Sequence, residues 1–118
     1  MIGIDIVSVN RIENMINKFG QKALKRYLND SEISLIKSPQ TAAGFWAAKE
    51  AVSKALGCGI GKELSFHDIV ISKNKKGKPT VRLINNKNEY FNIKAIDISI
   101  THEKNFAVSA AIVFTSQM

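Results

Sequence analysis

Residues 45–57, FWAAKEAVSKALG, predict an amphipathic helix around which the rest of the chain is organised. At about 100° per residue, one side of this helix is apolar and suits a core. That side consists of Phe45, Ala48, Val52, Ala55 and Leu56. The opposite side carries Glu50 and Lys54, four residues apart, and Gly57 supplies the left-handed conformation that ends many helices.

Glu50 and Lys54 have two interpretations. A Glu followed four residues later by a Lys is the common solubilising pair of exposed helices. Ala43 and Ala47 flank this pair, however, and their side chains are too small for an ordinary solvated face. We therefore expect another element to pack there, and the helix alone leaves both interpretations open.

Asp5 is the only charged residue in an apolar run that predicts a buried strand, Met1-Ile2-Gly3-Ile4-Asp5-Ile6-Val7. An ionised carboxylate in a dry strand needs a partner, because leaving it unpaired costs several kcal/mol. Magnesium takes one or two carboxylates together with substrate phosphates. Asp5 and Glu50 are therefore a candidate metal pair.

Three motifs in this order resemble those of the 4'-phosphopantetheinyl transferases, in particular the short, single-domain bacterial type. They are Gly3-Ile4-Asp5-Ile6, Trp46-x-x-Lys49-Glu50-Ala51-x-x-Lys54 and Ser99-Ile100-Thr101-His102. The resemblance extends from Ile2 to Phe114 and includes the segments 57–61, 64–69 and 77–79. It implies an α+β fold in one domain, residues 1–118, with an antiparallel sheet packed against a central helix and N-terminal helices. It also implies a homotrimer in which a neighbouring subunit completes each site.

The resemblance implies an enzyme that moves the 4'-phosphopantetheine group of coenzyme A to a serine of apo acyl carrier protein, in fatty acid biosynthesis. The products are holo-acyl carrier protein and 3',5'-ADP. Asp5 and Glu50 would hold Mg²⁺, and Lys54 would offset charge on the phosphate oxygens. Glu50 or a metal-held water would accept the serine proton. His102 would either bind a coenzyme A phosphate or shuttle a proton, and both roles stay open.

The coenzyme A site is the part of the resemblance with a departure. The residues implied to bind this substrate are Lys49, Lys54, Gly77, Lys78, Pro79 and His102. The family commonly has Gly-Arg-Phe before the Ala-Ala-Lys-Glu run, whereas this chain has Gly44-Phe45-Trp46. We expect Lys49, or a lysine elsewhere, to supply the missing phosphate contact.

A basic surface is predicted on two helical segments near the N-terminus. The first is capped by Ser8 and ends at Gly20, and the second runs from Gln21 to Leu28. The pattern is equally typical of a solvated helix face. The resemblance implies that this surface docks the acidic carrier protein through Arg11, Lys18, Lys22 and Lys25.

The remaining elements are predicted from changes in the spacing of apolar residues along the sequence. Ser38 to Thr41 predicts a break before the central helix, and residues 69–83 predict a β-hairpin with a lysine-rich turn. Residues 95–101 and 106–114 predict a pair of strands in which Ile96, Ile98 and Ile100 share one face. Residues 85–92 give no clear prediction.

Composition limits the compartment and the partners. The chain has 118 residues, a net charge of +7 and a single cysteine, Cys58, which suits a reducing compartment. It has no apolar segment of membrane-spanning length and no signal-peptide pattern, so we expect a cytoplasmic protein without a membrane partner.

The positive net charge favours anionic partners. Zinc-finger, RNA-recognition and P-loop spacings do not occur, and nucleic acid is not expected. The alternative is a non-enzymatic basic module that binds RNA or an acidic protein.

Overall fold

The computed structural model describes residues 1–116, which contain five α-helices and five β-strands. The helices are α1 (Val9–Phe19), α2 (Gln21–Lys25), α3 (Asp30–Ile33), α4 (Pro39–Ala55) and α5 (Lys87–Tyr90). The strands are β1 (Ile2–Ser8), β2 (Ile69–Lys73), β3 (Pro79–Leu83), β4 (Ile93–His102) and β5 (Phe106–Thr115). The predicted domain extended to Met118, and residues 117–118 lie outside the described residues. The predicted α+β class is confirmed.

Two antiparallel sheets are formed. One has the order β1-β5-β4, and the other is the β2-β3 hairpin. The predicted hairpin over residues 69–83 and the predicted terminal strand pair are therefore confirmed. Asp5 lies opposite Ser109 in the first sheet, and His102 lies opposite Ala107.

Helix α4 begins at Pro39, well before Phe45, where the predicted helix started. The hydroxyl of Ser38 accepts a hydrogen bond from the backbone N–H of Thr41 at 3.1 Å, and Pro39 occupies the first helical turn, where its missing N–H is tolerated. The predicted break is therefore only the cap of the helix. Gly57 has a φ of 79°, as its predicted role at the helix end requires.

Helix α4 crosses the β1-β5-β4 sheet at an angle, and two glycines allow close contact. A methyl group on Gly3 would meet the carbonyl oxygen of Ala51 and would lie 2.6 Å from the backbone nitrogen of Ala55. A methyl group on Gly44 would lie 2.8 Å from Cγ2 of Ile100 in β4. The first half of α4 therefore reaches β4, whereas contact with β1 extends from Ala43 and Ala47 near Val7 to Ala51 and Ala55 at Gly3.

The prediction that β1 is a buried strand is wrong. Gly3 and Val7 face α4 and are buried, but Ile2, Ile4 and Ile6 are 73%, 63% and 61% exposed. The reason is that β1 is an edge strand and α4 covers only one face of the sheet. The exposed face continues across β5 through Ile112 and Phe114.

The alanines that flank Glu50 and Lys54 on α4 are buried, as expected from their size. Ala43 and Ala47 are fully buried against Val7 of β1 and Ile12 of α1. The predicted packing on this side of the helix is therefore confirmed. No helix within residues 1–116 combines the length and the apolar character needed to cross a bilayer.

Candidate active site

Asp5, Glu50 and Lys54 meet where the second half of α4 lies along β1. The Nζ of Lys54 donates hydrogen bonds to Oδ1 of Asp5 at 2.8 Å and to the backbone oxygen of Ile4 at 3.3 Å. Because side chains alternate along a strand, Asp5 points towards α4 while Ile4 and Ile6 point away. The strand thus delivers its one carboxylate to the helix face that carries Glu50.

The electrostatics of Glu50 show that the two carboxylates share one environment. Partial burial raises the pKa of Glu50, and the nearby charge of Asp5 raises it further. The charges of Lys54 and Arg11 act in the opposite direction. The hydrogen bond to Asp5 raises the pKa of Lys54. Asp5 and Glu50 are therefore close enough to interact electrostatically, and the charges of Lys54 and Arg11 act on the same environment.

The donor set fits a hard divalent cation that is only partly held by protein. Within residues 1–116, no group of three or more His, Cys, Asp or Glu side chains lies together as a complete metal site. Two carboxylates are the usual protein contribution for magnesium, which takes its other ligands from water and substrate phosphates. Asp5 and Glu50 could supply that contribution. Asp5 and Lys54 line a depression of about 310 Å³ together with Ile4, Ile6 and Val108.

Two neighbours of this cluster were not assigned a role there from the sequence. Trp46 lies one turn before Glu50 on α4, and the guanidinium carbon of Arg11 lies 5.2 Å from the centre of the Trp46 ring. Arg11 was predicted only as a carrier-binding residue. The position of Trp46 inside the quoted motif was the available signal, but the motif did not indicate which group its indole would contact.

Lys49 does not lie in this cluster, so the expectation that it contacts a coenzyme A phosphate is corrected here. Its Nζ is fully buried and donates to Oε1 of Glu32 at 2.8 Å, to the backbone oxygen of Tyr27 at 2.8 Å and to that of Phe66 at 3.0 Å. An ammonium group has three N–H donors, and all are used. Burial lowers the pKa of Lys49, while Glu32 raises it. No donor is left for a substrate.

Lys54 lies in the Asp5 cluster, whereas the other predicted substrate-binding residues, Gly77, Lys78, Pro79 and His102, lie at the opposite edge of the sheet. A pocket of about 190 Å³ is lined by Thr41, Phe45, Lys73, Gly77, Pro79, Ile100 and His102. Lys78 lines the adjoining groove, where its Nζ contacts Oδ1 of Asp97 at 2.8 Å. Phe45 stands at the position expected to be arginine, and Lys73 at the end of β2 brings a positive charge to the same pocket. Lys73 was missed because a lysine at a strand end is usually solvated.

The predicted site residues therefore form two separate groups on a single chain. Asp5 lies on β1 and His102 at the end of β4, with β5 between the two strands. The exposed apolar face of β1 and β5, formed by Ile2, Ile4, Ile6, Ile112 and Phe114, adjoins the Asp5 half.

The predicted carrier-binding residues are four exposed basic side chains on the surface of the two N-terminal helices. Arg11 and Lys18 lie on α1, and Lys22 and Lys25 on α2. Phe19, 48% exposed, lies between the two groups, with the Nζ of Lys18 at 5.3 Å from its ring centre. This surface can meet an acidic partner that also offers an apolar side chain.

Comparison with known proteins gives consistent matches over nearly the whole chain. The model of the 4'-phosphopantetheinyl transferase superfamily matches residues 1–111. The holo-(acyl-carrier-protein) synthase of Nautilia profundicola is 65% identical over 114 residues, covering 95% of this chain and 97% of that protein. The Helicobacter pylori protein of the same name is 51% identical over 117 residues, covering 98% of each chain.

Solved structures agree with this result. The crystal structure of the Helicobacter pylori synthase in complex with coenzyme A has a TM-score of 0.93 at 50% identity, covering 97% of this chain and all of that one. The Bacillus anthracis synthase, solved in complex with coenzyme A (3',5'-ADP), has a TM-score of 0.82 at 39% identity, covering 98% of this chain and 96% of that one.

Proposed function

The chain belongs to the 4'-phosphopantetheinyl transferase superfamily, and we propose from this premise that it converts an apo acyl carrier protein to its holo form. The group transferred is the 4'-phosphopantetheine of coenzyme A. The observation that carries the proposal is the meeting of Asp5, Glu50 and Lys54 in one cluster. Asp5 is distant in sequence from Glu50 and Lys54, and the three residues belong to two of the motifs that resemble the family.

The proposed step is a phosphoryl transfer. The serine oxygen of the carrier forms a bond to the phosphorus on the pantetheine side of the diphosphate, and the bond from that phosphorus to the bridging oxygen breaks. The leaving group, 3',5'-ADP, keeps the electron pair, and the serine proton passes to Glu50 or to a water beside it. Such reactions depend mainly on positioning and charge neutralisation.

The chain's own residues supply these two functions. Asp5 and Glu50 would hold Mg²⁺, which when bound neutralises charge on the diphosphate. Lys54, whose ammonium group is half-exposed beside Asp5, would offset charge that grows on the phosphate oxygens. Burial raises the pKa of Glu50 and makes it a better proton acceptor than an ordinary carboxylate.

Coenzyme A would lie along the other half of the site. Gly77, Lys78 and Pro79 line its pocket and groove, and His102 lines the same pocket as Gly77 and Pro79. His102 is exposed, which suits either a phosphate contact or a proton shuttle. Lys73, rather than Lys49, would supply the contact that the family obtains from arginine.

We propose a homotrimer because each chain presents its two half-sites at opposite edges of one sheet. Closing copies of the chain around the exposed face of Ile2, Ile4 and Ile6 would bury that face and bring one copy's Asp5 edge to the next copy's His102 edge. Sedimentation measures the assembly. Mixing Glu50→Ala with His102→Ala subunits tests the shared site, since mixed assemblies should regain activity that neither parent has. If no mixture regains activity, the sites are not shared.

The basic surface of α1 and α2 would dock the carrier, with Arg11 nearest the active site and Lys18, Lys22 and Lys25 farther along. Charge complementarity of this kind steers association and weakens with salt. We propose that the reaction serves fatty acid biosynthesis in the cytoplasm, in keeping with the chain's single, free cysteine.

The deciding experiment incubates the protein with Mg²⁺, coenzyme A and an apo carrier protein and measures the carrier by intact mass. We expect the mass to rise by one phosphopantetheine group, and the gain to disappear when EDTA replaces Mg²⁺. An unchanged carrier mass, with several acidic carriers tried, would overturn the proposal. A gain that persists in EDTA would overturn the metal part of it alone.

A further inference from the structure

The Arg11 guanidinium lies over an aromatic ring that belongs to a different helix. Arg11 is in the first turn of α1, and its guanidinium carbon lies 5.2 Å from the centre of the Trp46 ring on α4. Such a cation is attracted by the electrons of the ring face, and tryptophan gives the strongest contact of this kind. Trp46 lies one turn before Glu50, so the contact holds a cation close to the candidate active site.

The Trp46 ring is fixed by two further aromatic rings. Its centre lies 4.8 Å from that of Tyr27, at an interplanar angle of 63°, and 4.8 Å from that of Phe66, at 52°. Tyr27 and Phe66 also contact each other, with ring centres 6.0 Å apart. Because each ring touches the other two, the Trp46 indole cannot turn without displacing both neighbours.

The two flanking residues are themselves tied to α4. The buried ammonium group of Lys49 donates to the backbone oxygens of Tyr27 and Phe66 at 2.8 and 3.0 Å. The hydroxyl of Tyr27 donates to the backbone oxygen of Ala42 at 2.8 Å. Trp46 is therefore a fixed ring that is only half-buried, and it can serve as a rigid support for a side chain from α1.

The N–H donors of Arg11 stay available for a partner. Within residues 1–116, the Arg11 guanidinium makes no hydrogen bond or ion pair, and only its backbone N–H is bonded, to the hydroxyl of Ser8 at 3.2 Å. A guanidinium has five N–H donors in a planar fork that matches a carboxylate. Lys54 and Lys78, in contrast, are each paired with an aspartate of the chain.

Lys18 makes the contrasting contact on the same helix. Its Nζ lies 5.3 Å from the ring centre of Phe19, which is the next residue and is 48% exposed. Lys22 and Lys25 contact no ring face in the part of the chain that the structure describes. These three lysines would have to be immobilised by the carrier itself, and immobilising one long side chain weakens binding by about 2- to 10-fold.

We propose that Trp46 is a positioning residue that holds Arg11 in place before the carrier arrives. Arg11 is then the anchor of the docking surface, where it receives a carboxylate of the carrier one turn from Glu50, and the lysines mainly add attraction at longer range. This inference rests on the proposed function. It assigns the aromatic triangle a part in carrier recognition although its rings need not touch the carrier.

The first test asks whether Trp46 acts through Arg11. Transfer to apo acyl carrier protein is measured for Trp46→Leu, Arg11→Ala and the double variant. We expect Trp46→Leu to raise the carrier KM by about fivefold and to leave the KM for coenzyme A unchanged. In the Arg11→Ala background the same change should have no further effect on the carrier KM. A fivefold effect that persists without Arg11 would overturn the proposal.

A matched cycle and a conservative variant separate positioning from packing. Lys22→Ala removes a charge from the same surface but has no contact with Trp46, so its effect and that of Trp46→Leu should multiply. Trp46→Tyr keeps an aromatic face and should stay within about twofold of the natural carrier KM. Trp46→Tyr as impaired as Trp46→Leu, or equal coupling of Trp46 to Lys22 and to Arg11, would contradict the positioning role.

A second measurement leaves Trp46 in place and so does not depend on whether its variants fold. Trp46 is the only tryptophan of the chain, and its emission reports this position directly. Arg11→Gln uncovers one face of the ring and should increase quenching by acrylamide, whereas Lys18→Gln should not. Equal quenching of these two variants would show that Arg11 does not cover Trp46.

Binding without chemistry distinguishes this inference from the proposed function. Surface plasmon resonance on immobilised apo carrier, without coenzyme A, repeats the first cycle. Trp46→Leu keeps every charge, so we expect its association rate to be unchanged and its dissociation rate to rise. If the natural chain modifies no carrier but dissociation shows this dependence on Arg11, the proposed function fails and the positioning role stands. If the natural chain binds no carrier, the positioning role fails too.

Discussion

Two lysines of α4 form ion pairs with the same distance between the charged atoms, but one pair is buried and the other is partly exposed to solvent. Lys49 lies 2.8 Å from Glu32 and Lys54 lies 2.8 Å from Asp5. Both side chains of the first pair are fully buried, whereas those of the second are 52% and 15% exposed. The distance between the charges therefore does not distinguish a structural pair from a candidate catalytic one.

The difference lies in how completely each group is hydrogen-bonded. In the first pair, Oε1 of Glu32 also accepts from the backbone N–H of Asn29, and Oε2 accepts from that of Ile71, each at 2.7 Å. Every donor of Lys49 is used as well. In the second pair, Lys54 is shared between Asp5 and the backbone, and Glu50 stays beside them with its pKa raised by burial and by Asp5. We call the Lys49–Glu32 pair closed, because all of its hydrogen-bonding groups are used and it joins separate segments of the chain. We call the Lys54–Asp5 pair with Glu50 open, because its carboxylate charge is still available to a ligand.

The largest expected effect is on transfer by the open cluster. Asp5→Ala or Glu50→Ala removes one of two carboxylates, and we expect the rate of holo-carrier formation to fall by about a thousandfold or more, with circular dichroism unchanged. The matched control is Glu13→Ala, since Glu13 is an exposed acid on α1. If either site variant were about as active as the control, the cluster of Asp5, Glu50 and Lys54 would not be needed for transfer.

Breaking the closed pair should affect folding most. Lys49→Met leaves the buried Glu32 without its cation, and we expect the free energy of unfolding in urea to fall by about 3–5 kcal/mol. Adding Glu32→Leu should recover only part of this loss, because the N–H groups of Asn29 and Ile71 then lack an acceptor. A loss under about 1 kcal/mol in the single variant would show that the pair is not needed for folding.

Lys54→Met is the direct counterpart of Lys49→Met. Since solvent screens a half-exposed pair, we expect the free energy of unfolding to change by about 1 kcal/mol or less. The turnover number should fall by about a hundredfold, because a charge near the reacting phosphate is lost. If the two lysine variants lost the same free energy of unfolding in urea, burial would not explain the difference between the two ion pairs.

The smallest expected effect concerns a third pair of the same length, Lys78 and Asp97, which is 52% and 67% exposed. Lys78→Met should leave the unfolding midpoint unchanged and raise the KM for coenzyme A by about two- to fivefold at low salt. In 0.5 M NaCl the difference should shrink, as screening predicts. If the KM rose by more than this and salt did not reduce the effect, Lys78 would contact coenzyme A away from solvent, contrary to this prediction.

Local patterns predicted the part of α4 from Phe45 onward and the terminal strands, and they indicated Asp5 and Glu50 as a candidate pair. They failed on β1 because alternation distinguishes two faces of a strand but not which one is covered. The residues Gly3 and Val7 face the helix, while the larger isoleucines face outward. Lys49 was misplaced because its partner, Glu32, lies 17 residues away and carries no periodic signal that connects the two. The pairing of Trp46 with Phe66 is likewise a tertiary contact.

Gly3 affects the candidate site although it has no side chain. It lies in direct contact with the backbone of α4 at Ala51 and Ala55, two residues before Asp5 and next to the turn that carries Glu50. Asp5 belongs to the strand and Glu50 to the helix. The distance between these two backbones therefore determines how far apart the two carboxylates lie. An alanine at residue 3 would increase that distance while leaving each acidic group intact. The dimensions of the acidic pair therefore depend on a single missing methyl group.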